Sequence, residues 1–229
     1  MMCGYISKIE SGRMTLDPVP FSLRESVDEM VAIVRQTAAE NQRGFTVQIH
    51  DVTQDIIVAD PLRLRQILLN LLANAVKYTE PGGHVRFAVS EKAVPGCTDR
   101  TRLQFIITDD GIGMSEEFQK TMYTSFSRAT DSRINKIQGS GLGLAIARQM
   151  TELMGGEIQC ESALGRGTTF RVVFELPIVA ITADAFAEDV AACREAGMDA
   201  HIAKPVDIKQ VLRTLKLARD GTLHEQKKS

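Results

Sequence analysis

Leu23, Val27, Met30, Val31, Val34 and Ala38 recur at helical spacing, with charged residues between them. This pattern predicts a helix with one buried stripe, running to about Asn41. Ser22 is its N-cap, and Glu25 three residues later completes a capping box. Phe45 to His50 alternates like a strand, and Ile56 to Ala59 reads as its antiparallel neighbour. Asp60 and Pro61 open a second helix, with proline at its first position. That helix reaches Tyr78 or Thr79, where Pro81, Gly82 and Gly83 end it. Val85 to Val89 and Leu103 to Thr108 are strands around a loop at Pro95 and Gly96. A short helix follows over about Ser115 to Lys120. Ser127 to Gly141 is polar and aperiodic, so a mobile loop is expected. Leu142 to Met154 is a helix closed by Gly155 and Gly156. Ile158 to Glu161 and Thr168 to Leu176 are strands joined by the turn from Gly165 to Gly167.

The pattern then changes. Ile178 to Ala183 is a continuous apolar run, as for a strand buried on both faces. A helix over about Ala187 to Ala196, a strand over Ala200 to Ala203 and a helix over about Ile208 to Arg219 follow. The expected fold is α+β: a two-layer sandwich of helices on a mixed, largely antiparallel sheet. A partial parallel α/β unit is attached to its end. Residues Met1 to Arg13 read as the end of a helix, and Asp17 to Pro20 as a proline-restricted linker. The expected divisions are therefore 1–20, 21–177, 178–219 and a flexible tail at 220–229.

Composition narrows the function classes. The 229 residues are 44% hydrophobic and 24% charged, with a formal net charge of -2. No basic excess points to nucleic acid. Cys3, Cys97, Cys160 and Cys193 are scattered, which reads as reduced thiols. No apolar run spans a bilayer and no signal peptide is visible, so a cytoplasmic chain without direct membrane contact is expected, its parent protein being free to be membrane-anchored.

The helix from Leu62 to Tyr78 is apolar almost all round, yet Gln66, Asn70, Asn74 and Lys77 share one face. An unpartnered buried amide costs about 2–7 kcal/mol, depending on the reference state. The face either lines a ligand cavity or is the exposed stripe of an amphipathic helix; the helix alone does not separate the two. An asparagine carbonyl suits a hard cation such as Mg²⁺, and a lysine suits phosphate. Two glycine segments favour the cavity. Asp109 stands at a strand end before Gly111 and Gly113, where a carboxylate can accept from a base amino group. Gly139, Gly141 and Gly143 stand just before a helix, whose N-terminus favours phosphate.

Together these segments resemble the Bergerat-type ATP-binding domain of sensor histidine kinases. Asn70 to Thr79 is similar to that family's asparagine box, Asp109 to Gly113 to its first glycine box, and Gly139 to Leu144 to its second. Tyr123 to Arg128 resembles the phenylalanine box, and Ser7 to Gly12 the end of the dimerisation helices. The agreement in order and spacing runs from about Ile6 to Pro177. The resemblance implies ATP and Mg²⁺ as cofactors, with Asn74 as the metal ligand and Asn70 and Lys77 at the phosphates or ordered water. It places Tyr78 against the adenine and Asp109 at the adenine amino group. Gly111 and Gly113 close on the base, while Gly139, Gly141 and Gly143 form the lid hinge. Leu142 lies within that segment and reads, with Leu144, as a core anchor of the lid. Arg128 steers the γ-phosphate.

His50, His84, His201 and His224 lack the context of a phosphoacceptor histidine. The implied activity is thus a protein histidine kinase's catalytic part, acting on a histidine-bearing dimerisation domain in trans, with a response regulator as a further partner. The alternative is an ATP-binding regulatory module. Ile178 to Ala183 and Ala196 to Pro205 resemble the C-terminal half of a receiver domain, with Thr182 and Lys204 at its switch positions. Its phosphoacceptor half is missing, which suggests a deletion within a hybrid histidine kinase.

Overall fold

The computed structural model describes residues 14–53, 55–95, 100–124 and 141–177, and the backbone of 180–182 and 201–203. The chain enters through strand β1 (Val19–Ser22) and helix α1 (Leu23–Glu40). Strands β2 (Gly44–His50) and β3 (Ile56–Ala59) lead to helix α2 (Pro61–Tyr78). Strands β4 (His84–Ala93) and β5 (Arg100–Asp109) precede the short helix α3 (Glu116–Thr121). Helix α4 (Gly143–Leu153) and strands β6 (Glu157–Ser162) and β7 (Thr168–Pro177) complete the main unit. Strands β8 (Ala180–Thr182) and β9 (His201–Ala203) pair in parallel.

The main sheet has the order β2-β4-β5-β7-β6, parallel between β2 and β4 and antiparallel elsewhere. β5 is its centre. Leu103, Phe105 and Ile107 alternate along it and are fully buried, while Arg102, Ile106 and Thr108 on the opposite face are half-buried. Phe105 stacks on Phe87 at 6.5 Å and meets Phe174 edge-on at 6.4 Å. The stripes predicted for the helices close this face: Met30 and Val34 of α1, Leu68, Leu71 and Leu72 of α2, and Ile146 and Met150 of α4 join one core. Each large side chain so buried contributes about 1.5–3 kcal/mol. The expected two-layer α+β architecture is what forms.

Two local expectations are corrected. Ile56 to Ala59 does not pair with Phe45 to His50. β3 pairs antiparallel with β1 instead, in a separate two-stranded sheet, and β2 joins β4 in parallel. The reason lies at the start of α1. The Asp55 carboxylate accepts from Ser22 Oγ at 3.1 Å and from the Arg24 N–H at 3.0 Å, and the Leu23 N–H donates to the Asp55 carbonyl at 2.7 Å. These bonds pin the entry of β3 to the exit of β1. Ile57, Val58 and Ala59 are all buried, which a half-exposed hairpin strand would not need. Consequently Val19 and Pro20, expected in a linker, belong to a strand. The predicted helices over 1–13, 187–196 and 208–219, and the loop over 127–140, lie outside the described residues.

Asp60 fixes the start of α2, and α2 carries the polar stripe. Its Oδ1 accepts from the Arg63 N–H at 3.0 Å and its Oδ2 from the Asp17 N–H at 3.1 Å. The residue is only 6% exposed, so these two N–H groups replace water around its carboxylate. Replacing Asp60 by Ala removes both acceptors. The expected loss is about 1–2 kcal/mol of unfolding free energy, read by urea denaturation, with Asp60→Asn losing less.

Candidate functional site

The last turns of α2 meet the start of α4 and the loop that follows β5. Gln66, Asn70, Asn74 and Lys77 are all half-buried, whereas Leu62 and Ala73, beside the stripe, are exposed. Gln66 is engaged along its own helix, accepting from the Arg63 guanidinium at 3.5 Å. Asn70 is different. Its Nδ2 is buried and has no hydrogen-bond partner among the protein atoms. Leaving such a group unpaired costs about 1–3 kcal/mol, so an external partner is called for.

What faces it is the start of α4. A Cβ placed on Gly143 would lie 3.8 Å from Asn74 Nδ2 and 3.9 Å from Asn70 Oδ1. No side chain caps this helix; Leu142 occupies the N-cap and is buried in the core at 3% exposure. The amides of Asn70 and Asn74 therefore lie opposite a helix N-terminus whose N-cap residue makes no side-chain hydrogen bond to it. The helix dipole adds partial positive charge there. Donors on one side and amide oxygens on the other suit a phosphate with a hard cation. Lys77 Nζ lies 5.0 Å above the Tyr78 ring, which holds this cation and aromatic face together at the C-terminal end of α2.

Asp109 ends β5. Its register partners are Val85 on β4 and Thr168 on β7, and it is 7% exposed. Burial pushes its carboxyl up to about 6; main-chain hydrogen bonds from Gly111 and Thr168 pull the other way, and neighbouring Asp110 adds to the rise. The bond from the Gly111 N–H measures 3.0 Å. Gly111 sits so close to α2 that an added Cβ would come within 2.3 Å of the Tyr78 carbonyl. That carbonyl accepts from the Ile112 N–H at 3.2 Å. The glycine loop is thus laid against the last turn of the asparagine helix.

The structure brings Asn70, Asn74, Lys77, Tyr78, Asp109, Gly111, Gly113, Gly141, Leu142 and Gly143 to this end of the fold. Arg128 and Gly139 lie outside the described residues. Three residues were overlooked in the sequence, where the turn before β7 reads as a plain connector. Gly167 has φ +77°, and a Cβ on it would come within 1.9 Å of the Asp109 carbonyl. Only glycine lets β7 begin there. Thr168 follows, buried beside Asp109, and Ser162 faces it across β6. The available signal was a glycine with a threonine directly after it at the mouth of a strand.

Asp109 carries a cost that can be measured. Its folded pKa exceeds the ordinary value of 3.8. Its contribution to stability is therefore fully present below about pH 4 and is lost as the pH rises through about 6. At pH 7, Asp109→Asn is expected to stabilise the unliganded chain by about 1–3 kcal/mol. That advantage should shrink toward zero between pH 6.5 and pH 4 in denaturation curves of the two proteins.

Comparison with known proteins agrees with this geometry. Residues 59–178 match the family described as histidine kinase-, DNA gyrase B-, and HSP90-like ATPase. The chain is 37% identical over 171 residues to the sensor histidine kinase GacS of Pseudomonas protegens, covering 75% of this chain and 18% of that protein. It is 35% identical over 164 residues to the signal transduction histidine-protein kinase BarA of Escherichia coli K12, covering 72% of this chain and 18% of that protein. The chain thus spans less than a fifth of the length of these two relatives. Among solved structures, the mycobacterial sensor histidine kinase MprB superposes with a TM-score of 0.54 at 26% identity, over 71% of this chain and all of that one. No helix among the described residues is long and apolar enough to cross a membrane. With the asparagine helix, the buried strand-end aspartate and the glycine-flanked helix N-terminus in one place, this chain belongs to the histidine kinase-, DNA gyrase B- and HSP90-like ATPase family.

Proposed function

We propose that this chain binds Mg–ATP and transfers the γ-phosphoryl group to a histidine supplied in trans by a dimerisation domain. The observation that carries the reading is the unpartnered Asn70 amide set opposite the uncapped start of α4. Asn74 offers its carbonyl to the cation. Asn70 and Lys77 bind phosphate oxygens directly or through water, and Gly141 and Gly143 let the backbone at α4 close on the phosphates. The family resemblance assigns Arg128 to the γ-phosphate and Gly139 to the lid hinge. Tyr78 packs on the adenine, and Asp109 accepts from its amino group, with Gly111 and Gly113 allowing close approach. Mg²⁺ would be held by the Asn74 carbonyl, an oxygen ligand suited to a hard cation, and would supply neutralisation of phosphate charge.

The transfer needs little covalent chemistry from the protein. The acceptor imidazole nitrogen attacks the γ-phosphorus, the bond to the bridging oxygen breaks, and ADP leaves. The chain supplies position and charge. A response regulator then takes the phosphoryl group from the histidine. The receiver-like segments at 178–183 and 196–205 fit a hybrid kinase as parent, with β8 and β9 parallel as such a unit requires.

A second reading is a nucleotide-holding regulatory module. It is favoured by the placement of His50 at the exposed end of β2 and of His84 on β4, where its ring is 2.9 Å from Thr46 Oγ1. Neither sits on a helix as a phosphoacceptor would. Incubating the chain with ATP, Mg²⁺ and a separate histidine-bearing dimerisation domain distinguishes the two. Phosphohistidine on the added domain supports the kinase; ATP binding without it leaves the module.

Asn74→Ala should weaken ATP binding at least tenfold in Mg²⁺ and much less in its absence, by calorimetry. Asp109→Asn should weaken adenosine and ATP alike. If Asp109→Asn left ATP affinity unchanged, the orientation given to the nucleotide would be wrong.

A further inference from the structure

One row of residues crosses the end of the sheet: Val85, Asp109, Thr168 and Ser162 are register partners on β4, β5, β7 and β6. Ser162 is the busiest polar group of this row. Its Oγ is 2.9 Å from the Gly167 carbonyl, receives the Met114 N–H at 2.9 Å, and lies 3.0 Å from Thr168 Oγ1. The distances settle where the protons are. A carbonyl oxygen has none to give, so the single Ser162 hydroxyl proton must point at Gly167. Ser162 Oγ then has two lone pairs left. Met114 fills one, and the contact with Thr168 can only be a bond donated by Thr168.

Thr168 has one hydroxyl proton, and it is committed to Ser162. Its oxygen can therefore offer only lone pairs to anything beside Asp109, which is itself an acceptor in its ionised form. The arrangement is held stiffly. Gln119 Nε2 of α3 donates to the Met114 carbonyl at 3.0 Å and to the Ser162 carbonyl at 2.9 Å, which clamps the glycine loop to the end of β6. The Gly165 N–H closes the same joint by donating to the Ile112 carbonyl at 2.8 Å.

We infer that Ser162 is a positioning residue that fixes the polarity of the Thr168 hydroxyl and so makes the base end of the site acceptor-only. The ligand class selected is a purine with an amino group at the reading position, against one with a carbonyl there. A 6-oxo group brought to Asp109 would meet its lone pairs and, beside them in register, those of Thr168, whose proton is already committed to Ser162. The inference rests on the nucleotide reading above and adds to it a residue that does not touch the nucleotide. Removing the serine hydroxyl frees the Thr168 proton, so the hydroxyl can rotate and donate to a carbonyl.

The test compares ADP with inosine diphosphate, which carries the carbonyl, by calorimetry on the whole chain at pH 7.5. Ser162→Ala is expected to lower the ADP-to-inosine-diphosphate affinity ratio by about three- to tenfold, the worth of one hydrogen bond. Ser162→Thr, which keeps a hydroxyl, should restore the ratio. Thr168→Val should lower the ratio to the same extent, and adding Ser162→Ala to it should change nothing more. A folded Ser162→Ala protein with an unchanged ratio, or with both nucleotides weakened equally, overturns the inference. If that variant does not fold, an unchanged ratio in Thr168→Val overturns it equally. Wild-type chain that binds neither nucleotide would instead overturn the nucleotide reading itself.

Discussion

Everything at the Asp109 end of the site depends on keeping one carboxylate out of water. Asp109 sits at the last position of the central strand, on the core face, where Leu103, Phe105 and Ile107 precede it. Ionised there, it gives up solvation that its two main-chain hydrogen bonds return only in part, and its pKa rises accordingly. The fold accepts the loss by letting backbone replace solvent on three sides. Gly111 brings the loop against the Tyr78 carbonyl, Gly167 brings the next turn against the Asp109 carbonyl, and Thr168 seals the remaining side. A side chain at either glycine would push these walls apart by more than an ångström. The tightness of the turn and the perturbed acid are thus one feature. An amino group arriving from a ligand would complete the carboxylate's hydrogen bonding, so the unliganded state carries a debt that binding relieves.

The other end of the site obeys the opposite polarity. Asn70 and Asn74 lie one helical turn apart on α2, and the start of α4 is set across from them. The two helices are joined through the core by residues such as Leu71, Leu72, Ile146 and Ala147. Their spacing is therefore fixed by apolar packing, independent of any ligand. The first N–H groups of α4 stand at this end and the Asp109 carboxylate at the other, with the last turns of α2 running between them. A molecule that is anionic at one extremity and bears an amino group at the other fits in one direction only.

Much of this was readable from the chain, and the failures have physical causes. The stripes of α1 and α2 emerged because their apolar residues repeat at 3.6 and their caps, Ser22 and Asp60, are explicit; the hydrogen bonds to Glu25 and Arg63 follow that reading. The partnership of β3 was misread because periodicity reports burial, not pairing. Which strand lies beside which was decided by Asp55, whose bonds to Ser22 and Arg24 are invisible until both segments are in place. The site divided the same way. Asn70, Asn74, Asp109 and the glycines stand out as polar or flexible residues in apolar surroundings. Ser162 and Thr168 do not, since serine and threonine near a turn are commonplace. Their importance arises from register: Asp109, Thr168 and Ser162 are far apart in sequence and become neighbours only when β5, β7 and β6 are aligned.

That register also explains why the lower row of the sheet can carry polar residues at all. In an antiparallel ladder, partners on the same face have side chains within hydrogen-bond reach. Two hydroxyls on adjacent strands can satisfy one another without water, provided each proton has one destination, while the carboxylate beside them relies on main-chain donors. Here Ser162 sends its proton to Gly167, and the proton order of the row follows from that first bond. Gly167 must be present for its carbonyl to reach Ser162, and the same glycine is what lets the chain pass Asp109. One residue with a positive φ therefore governs both the closeness of the acid and the direction of the hydroxyl beside it. The backbone is what specifies the chemistry of this end of the site, and the side chains read it out.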